Sequence, residues 1–76
     1  RGDAMTLNDI VRLNIITILK SRGYYKNKRL TLPMDMKYLY STLSSIIKGS
    51  GGMTLNTLET VAHALDVEVA ELIRWE

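Results

Sequence analysis

The stretch STLSSIIKG at residues 41–49 decides the fold, together with TLNTLETVAHALDVEVAEL at residues 54–72. In the first stretch, hydroxyl residues occupy one side of a short helix and apolar residues the other. The apolar positions at helical spacing are Leu43, Ile46 and Ile47. Gly49 suits the end of that helix, because glycine readily adopts the left-handed backbone that often follows a last turn. The pattern predicts a helix presented to something outside the protein.

The second stretch predicts two further helices. Thr54 suits an N-cap, because its hydroxyl can accept a hydrogen bond from a backbone N–H of the first turn. The expected buried stripe is Leu55, Leu58, Val61, Ala62 and Leu65. Asp66 is expected to end this helix, since short polar residues tolerate left-handed geometry. A last helix is predicted over about residues 68–75, with Glu71 at its third position and Val67 packed on Leu72.

An earlier helix is predicted over residues 7–21. Thr6 and Asp9 have the spacing of a capping box, in which each side chain accepts a hydrogen bond from the other residue's backbone N–H. Gly23 stands where a C-terminal glycine is common. The apolar residues at helical spacing are Leu7, Ile10, Val11, Ile15, Ile18 and Leu19.

Residues 24–40 have the least regular pattern. Residues 24–32 are basic and aromatic without a helical period, and we expect a loop or an extended arm there. Pro33 suits the first position of a helix, and Asp35 is the alternative N-cap. Helix is expected over much of residues 34–48, with a break whose position the pattern leaves open. The chain is therefore predicted to be all-α, with four or five short helices and no strand.

Length and composition set further bounds. The chain has 76 residues, of which 46% are hydrophobic, which is enough for one small core. It has no cysteine, so disulfides and zinc–cysteine sites are excluded. No apolar run approaches the roughly 20 residues of a membrane span. We expect a cytoplasmic protein with a single domain over residues 5–76, preceded by a cloning remnant at residues 1–4.

Charge is unevenly distributed along the chain. Residues 1–50 carry nine Lys and Arg against three Asp, a net charge of +6. Residues 51–76 carry one Arg against five Asp and Glu, a net charge of −4. A basic front and an acidic back are typical of a protein that binds a polyanion in one orientation. Ordinary solvated charge is the alternative interpretation.

The two quoted stretches resemble the lambda-repressor-like helix-turn-helix family, also called Cro/C1 or XRE. In that family a Ser-Thr-Ile-Ser-x-Ile-x-x-Gly recognition helix precedes a Ser/Thr-Leu-x-Thr-Leu helix that ends in Ala-x-x-Leu-Gly-Val. The resemblance implies a compact lambda-repressor-like domain. Its helix 2 region is atypical and lengthened, because residues 24–40 lack the Ser-Gln-x-x-Leu-Ala helix and the turn glycine of typical members.

The resemblance also implies a function, namely sequence-specific binding of double-stranded DNA. The protein would be a small phage- or plasmid-type transcriptional regulator, acting as a repressor, with a recognition helix over about residues 39–48 in the major groove. By family position, the residues implied to face bases are Tyr40, Ser41, Ser44 and Ser45. Those implied to lie near phosphates are Thr42, Lys48 and Ser50. Serine hydroxyls discriminate bases weakly, and no Arg or Gln is available for bidentate contacts, so we expect modest base readout.

Further cations are expected to follow the phosphate backbone. They are Lys28, Arg29 and Lys37, with Lys26 beside the first two. A solvated loop is the alternative for the cations of residues 24–32. Tyr24 and Tyr25 are expected to pack against the first helix rather than to stack on bases.

No residue pattern indicates catalysis. His63 is the only histidine and is expected at the surface, without a second residue at metal-ligand spacing. The glycines at residues 49–52 lack the Lys-Ser/Thr that completes a phosphate-binding loop. We therefore expect no enzyme, no metal and no cofactor.

A protein partner is the second expectation. Family members often dimerise through the last helix, and Leu72, Ile73 and Trp75 are the candidate contacts for a homodimer. The alternative function from another class is a protein-interaction module on a helix-turn-helix scaffold. An antitoxin-type regulator, which binds both DNA and a protein partner, is a third reading that the sequence does not separate from the first.

Overall fold

Helices dominate the computed structural model, which describes residues 6–49 and 53–74. In chain order the elements are α1 (Leu7–Ser21), β1 (Tyr25–Lys26), β2 (Arg29–Leu30), a 3-10 helix (Met34–Leu39), α2 (Tyr40–Lys48), α3 (Leu55–Leu65) and α4 (Val69–Ile73). The strands have two residues each, so the predicted all-α class is confirmed. No helix in these ranges is long and apolar enough to cross a membrane.

Helix α1 has the predicted bounds and caps. The Oγ1 of Thr6 accepts a hydrogen bond from the backbone N–H of Asp9 at 3.2 Å, and Oδ2 of Asp9 accepts one from the N–H of Thr6 at 3.3 Å. Arg22 is the C-cap, and Gly23 follows with a φ of +79°. Lys20 in the last turn favours the negative end of the helix. Local signals therefore fix both ends of α1.

Residues 24–32 form a hairpin, so the expectation of a loop without strand structure was wrong. Tyr25 pairs with Leu30 in antiparallel register, and Lys26 pairs with Arg29. The backbone N–H of Thr31 also donates to the carbonyl of Tyr24 at 2.7 Å. The two residues between the strands have a positive φ, which is the geometry of a type I′ turn. That turn matches the twist of paired strands, so it closes the hairpin without a longer loop.

The segment before α2 is helical, as expected, and the break is now located. Pro33 is the N-cap of the 3-10 helix with an extended backbone, and not its first helical residue as predicted. Asp35 lies inside that helix rather than capping it. The 3-10 helix passes into α2 at Tyr40, one residue after the predicted start of the recognition helix. Gly49 ends α2 with a φ of +73°.

Helix α3 begins and ends where predicted. Thr54 accepts a hydrogen bond from the N–H of Thr57 at 3.2 Å, and Asp66 ends the helix with a φ of +59°. The expectation that Leu55 is buried was wrong, because it is the first residue of the helix and 64% exposed. Leu7 holds the same position in α1 and is likewise exposed. Both leucines precede the turn from which the buried stripe begins.

Helix α4 is shorter than predicted, and α1 holds it in place. The N–H of Glu68 donates to Oε2 of Glu71 at 3.2 Å, so the expected capping interaction of Glu71 is present. The side-chain amide of Asn14 donates to the carbonyls of Leu72 and Arg74, both at 2.8 Å. The shared core contains Val11, Ile15, Leu19, Leu30, Leu32, Met36, Leu39, Leu43, Ile46, Val61, Ala62, Leu65 and Leu72. Tyr24, Tyr25 and Val67 pack against it from the rim.

Candidate nucleic-acid interface

Helix α2 presents a hydroxyl edge to solvent. Leu43 and Ile46 are buried in the core, which fixes the rotation of the helix about its axis. At 100° per residue, Ser41 and Ser45 lie on the opposite side, and both are exposed. The predicted apolar edge and outward serine face are therefore present. Ser41 and Ser45 form a ridge of small side chains, which lets the first two turns of α2 approach a surface closely.

The hairpin covers one flank of this edge. A groove of about 250 Å³ separates β1 and β2 from α2. Its α2 side is lined by Tyr40, Ser44, Ile47 and Lys48. Its hairpin side is lined by Tyr25, Lys28 and Leu30. The structure thus brings four of the predicted DNA-contacting residues together at one groove, namely Lys28, Tyr40, Ser44 and Lys48.

Helix α3 covers the other flank. A groove of about 160 Å³ there is lined by Leu39 and Thr42 from the 3-10 helix and α2, facing polar side chains of α3. Those side chains are Asn56, Thr57 and Thr60. None of the residues that line this groove carries a charge. The two flanks of α2 therefore differ in chemistry, with lysines on one side and neutral hydrogen-bonding groups on the other.

The hairpin divides its cations between two faces. Lys28 lines the groove beside α2, whereas Lys26 and Arg29 line a separate concavity of about 550 Å³. Strand alternation explains why Lys26 and Arg29 do not line the groove beside α2, because they form one cross-strand pair and Tyr25 and Leu30, which line that groove, form the pair on the other face. The side chains of Lys28 and Arg29, both predicted to contact phosphates, therefore lie on different faces of the hairpin.

The remaining predicted site residues lie in several places. Lys37 is exposed on the 3-10 helix, while Ser50 and Trp75 lie outside the described residues. The proposed dimer contact at Leu72 needs correction, since that side chain is 0% exposed and belongs to the core. Ile73 is 42% exposed and keeps a surface position on α4.

Sequence reasoning missed two features next to α2. The first is the hairpin that covers one flank of α2. Its only signal in the sequence is the pair Asn27-Lys28 between short apolar and basic segments, and this pair lacks the glycine that usually marks such a turn. Arg12 was the other. A Cβ added to Gly49 would lie 3.8 Å from Cδ and Nε of Arg12, so this cation borders the C-terminal end of α2. A cation there complements the partial negative charge of the helix end.

The surface offers no cluster of metal-ligating residues within residues 6–49 and 53–74, where groups of three or more His, Asp and Glu side chains are absent. His63 is exposed on α3, as predicted. The features that distinguish this face of the protein are therefore the small-residue ridge of α2, its cationic flank and its neutral flank. These are features suited to contact with a large anionic surface.

Comparison with known proteins identifies the family. No curated protein and no solved structure matches the chain. A family model for the Cro/C1-type HTH DNA-binding domain matches residues 14–76, which include the hairpin, α2, α3 and α4. This match covers most of the chain and agrees with the helical spacing of residues 41–72. The chain therefore belongs to the Cro/C1-type helix-turn-helix DNA-binding domain family.

Proposed function

We propose that the protein binds specific double-stranded DNA and acts as a small transcriptional regulator of phage or plasmid type, repressing by occupying an operator. The observation that carries this proposal is the exposed ridge of Ser41 and Ser45 on α2, in a chain whose family binds DNA. Such a regulator would work in the cytoplasm.

In the proposed complex α2 enters the major groove, which is wide enough for one α-helix. Ser41 and Ser45 lie deepest, with Tyr40 and Ser44 beside them toward the hairpin. Contacts to the phosphate backbone come from Thr42, Lys48, Ser50, Lys28 and Lys37. Arg29 shares the opposite face of the hairpin with Lys26 and is therefore not placed among these contacts. Phosphate contacts position the helix, and the hydroxyls read base edges with modest discrimination.

A binding-site selection from random duplexes tests this proposal. The recovered duplex is then titrated with the wild type, Ser45→Glu and Ser21→Glu. Both variants add one negative charge at an exposed serine, but Ser21 is the last residue of α1 and lines neither groove beside α2. We expect Ser45→Glu to abolish detectable binding and Ser21→Glu to retain it. Failure of selection to enrich any sequence would exclude a specific regulator.

A second copy would complete the proposed regulator. Two copies related by a two-fold axis place two recognition helices about 34 Å apart, on successive major grooves of one DNA face. We propose that Ile73 and Trp75 near the end of the chain contribute to that contact. Sedimentation of the protein with and without the selected duplex measures the stoichiometry. A single protomer on every duplex would exclude the dimer.

A protein-interaction module is the second candidate function. The observation that favours it is the exposure of Met34 and Tyr38 on the 3-10 helix, at 82% and 67%. Substituting both by Ser should leave the selected duplex bound if the proposed DNA function is right. An antitoxin-type regulator would need that surface for a protein and α2 for DNA.

A further inference from the structure

The groove between the hairpin and α2 is cationic and has no internal counterion. Lys28 and Lys48 line it from opposite sides, and no carboxylate is among its lining residues. Tyr25, Tyr40 and Ser44, whose side chains carry hydroxyl groups, also line it. Two lysines and three hydroxyl-bearing residues thus line a cleft of about 250 Å³, and side chains of these types are donors suited to one anionic group.

The turn that presents Lys28 is conformationally unfavourable. Asn27 and Lys28 have φ values of +54° and +61°. Asparagine tolerates this left-handed region, whereas a lysine there brings its Cβ close to the following carbonyl oxygen. Glycine is the residue usually found at the second position of a type I′ turn. Lysine is therefore an unusual residue at that position, and its charge is the property that glycine would not supply.

We infer that this groove binds a phosphodiester group of one DNA strand, and that Lys28 is a strand-contacting residue whose charge is retained at the expense of turn stability. The inference rests on the proposed function, with α2 in the major groove. In that position the two flanks of α2 face the two backbones that border the groove. The hairpin flank meets one backbone with Lys28 and Lys48, and the α3 flank meets the other with neutral groups.

Four variants separate charge from backbone strain. Lys28→Gln removes the charge and keeps the strain, while Lys28→Gly removes both. Asn27→Gly changes the neighbouring turn residue and keeps the charge. Lys26→Gln removes a charge from the opposite face of the same hairpin. Each is titrated with the selected duplex over a range of salt concentrations, and thermal unfolding is recorded for each.

Both Lys28 variants should bind the selected duplex about eightfold more weakly near 0.1 M salt, because each phosphate contact releases about 0.9 counterion. The slope of log affinity against log salt should fall by about 0.9 in magnitude. Asn27→Gly and Lys26→Gln should change affinity less than about twofold. Lys28→Gly should also unfold at a slightly higher temperature than the wild type, so that its weaker binding cannot arise from loss of folding.

Two results would overturn the inference while leaving the proposed function intact. In the first, Ser45→Glu abolishes binding but both Lys28 variants bind like the wild type. In the second, Lys26→Gln lowers the slope as much as Lys28→Gln, which would assign the effect to net charge rather than to this groove. A wild type that binds no duplex overturns the proposed function itself, and the inference with it.

Discussion

The two flanks of α2 differ in whether their residues adopt the backbone conformations that they prefer. On the α3 side, Thr54 caps the helix through a hydrogen bond, and Asp66 ends it in a conformation that Asp tolerates. On the hairpin side, two strands of two residues each are joined by a turn with lysine in a left-handed conformation. The first flank agrees with its local preferences, and the second contradicts them at Lys28.

This difference suggests where binding has constrained the sequence. Natural proteins satisfy local preferences in most places and break them mainly at functional sites. The flank that breaks them is the one with lysines and without a carboxylate, and the flank that satisfies them is neutral. Under the proposed docking, one DNA strand is held by charge and the other by uncharged hydrogen-bonding groups.

The largest effect is expected at the residue that both flanks depend on. Leu43 is 0% exposed and anchors α2 in the core. Leu43→Ala should lower the free energy of unfolding by about 3 kcal/mol, from lost burial and the cavity left behind. Leu55→Ala makes the same chemical change at an exposed site and should cost less than about 0.5 kcal/mol. Urea denaturation followed by circular dichroism measures both, and equal losses would contradict the assigned rotation of α2.

The next effect separates the flanks by their response to salt. Lys48→Gln on the hairpin side should weaken DNA binding and lower the magnitude of the salt slope by about 0.9. Thr42→Val on the α3 side removes the hydroxyl and nearly preserves the shape of the side chain. It should weaken DNA binding without changing the salt slope. Fluorescence anisotropy at several salt concentrations measures both quantities. A change of slope in Thr42→Val would show that the two flanks do not differ in the proposed way.

The α3 flank was largely predictable from the sequence, for the same reason that it is locally regular. Each boundary is set by neighbours within a few residues: the hydroxyl of Thr54 reaches the N–H of Thr57, and Gly49 and Asp66 take left-handed positions. Burial at helix starts was not predictable in this way. Leu55 fits the helical period but precedes the turns that contact the core, so spacing alone overstated its burial.

The hairpin flank was not predictable, because pairing between distant residues decides it. Tyr25 meets Leu30 only after the turn forms, and the turn lacks glycine. Only part of the candidate site could therefore be predicted from the sequence. The outward positions of Ser41 and Ser45 follow from helical spacing, whereas the groove that joins Lys28 to Lys48 needs the hairpin. The burial of Leu72 likewise depends on tertiary packing, which the sequence does not show. Leu72 was therefore predicted as a dimer contact although its side chain lies in the core.

A moderate loss of stability is expected when the N-cap of α3 is removed. Thr54→Ala removes the N-cap hydrogen bond and should lower the free energy of unfolding by about 1 kcal/mol. Thr60→Ala is the control in the same helix. Its hydroxyl bonds back to the carbonyl of Asn56 at 2.9 Å, and alanine is the better helix former, so stability should rise slightly. Urea denaturation should therefore give opposite signs for two Thr→Ala changes, and a matching sign would contradict the capping role of Thr54.

The smallest effect should come from relieving the conflict in the hairpin flank. Left-handed geometry costs an L-residue roughly 1–2 kcal/mol, and glycine avoids that cost. Glycine also gives the unfolded chain more freedom, which offsets about 0.4–1 kcal/mol of the gain. Lys28→Gly should therefore raise the free energy of unfolding by about 0.5 kcal/mol net. Asn27→Gly should give no gain, because asparagine already tolerates the conformation and only the unfolded-state term is left. If urea denaturation gave the two variants the same change, Lys28 would not be the strained member of the turn, and its retention would need no explanation from DNA binding.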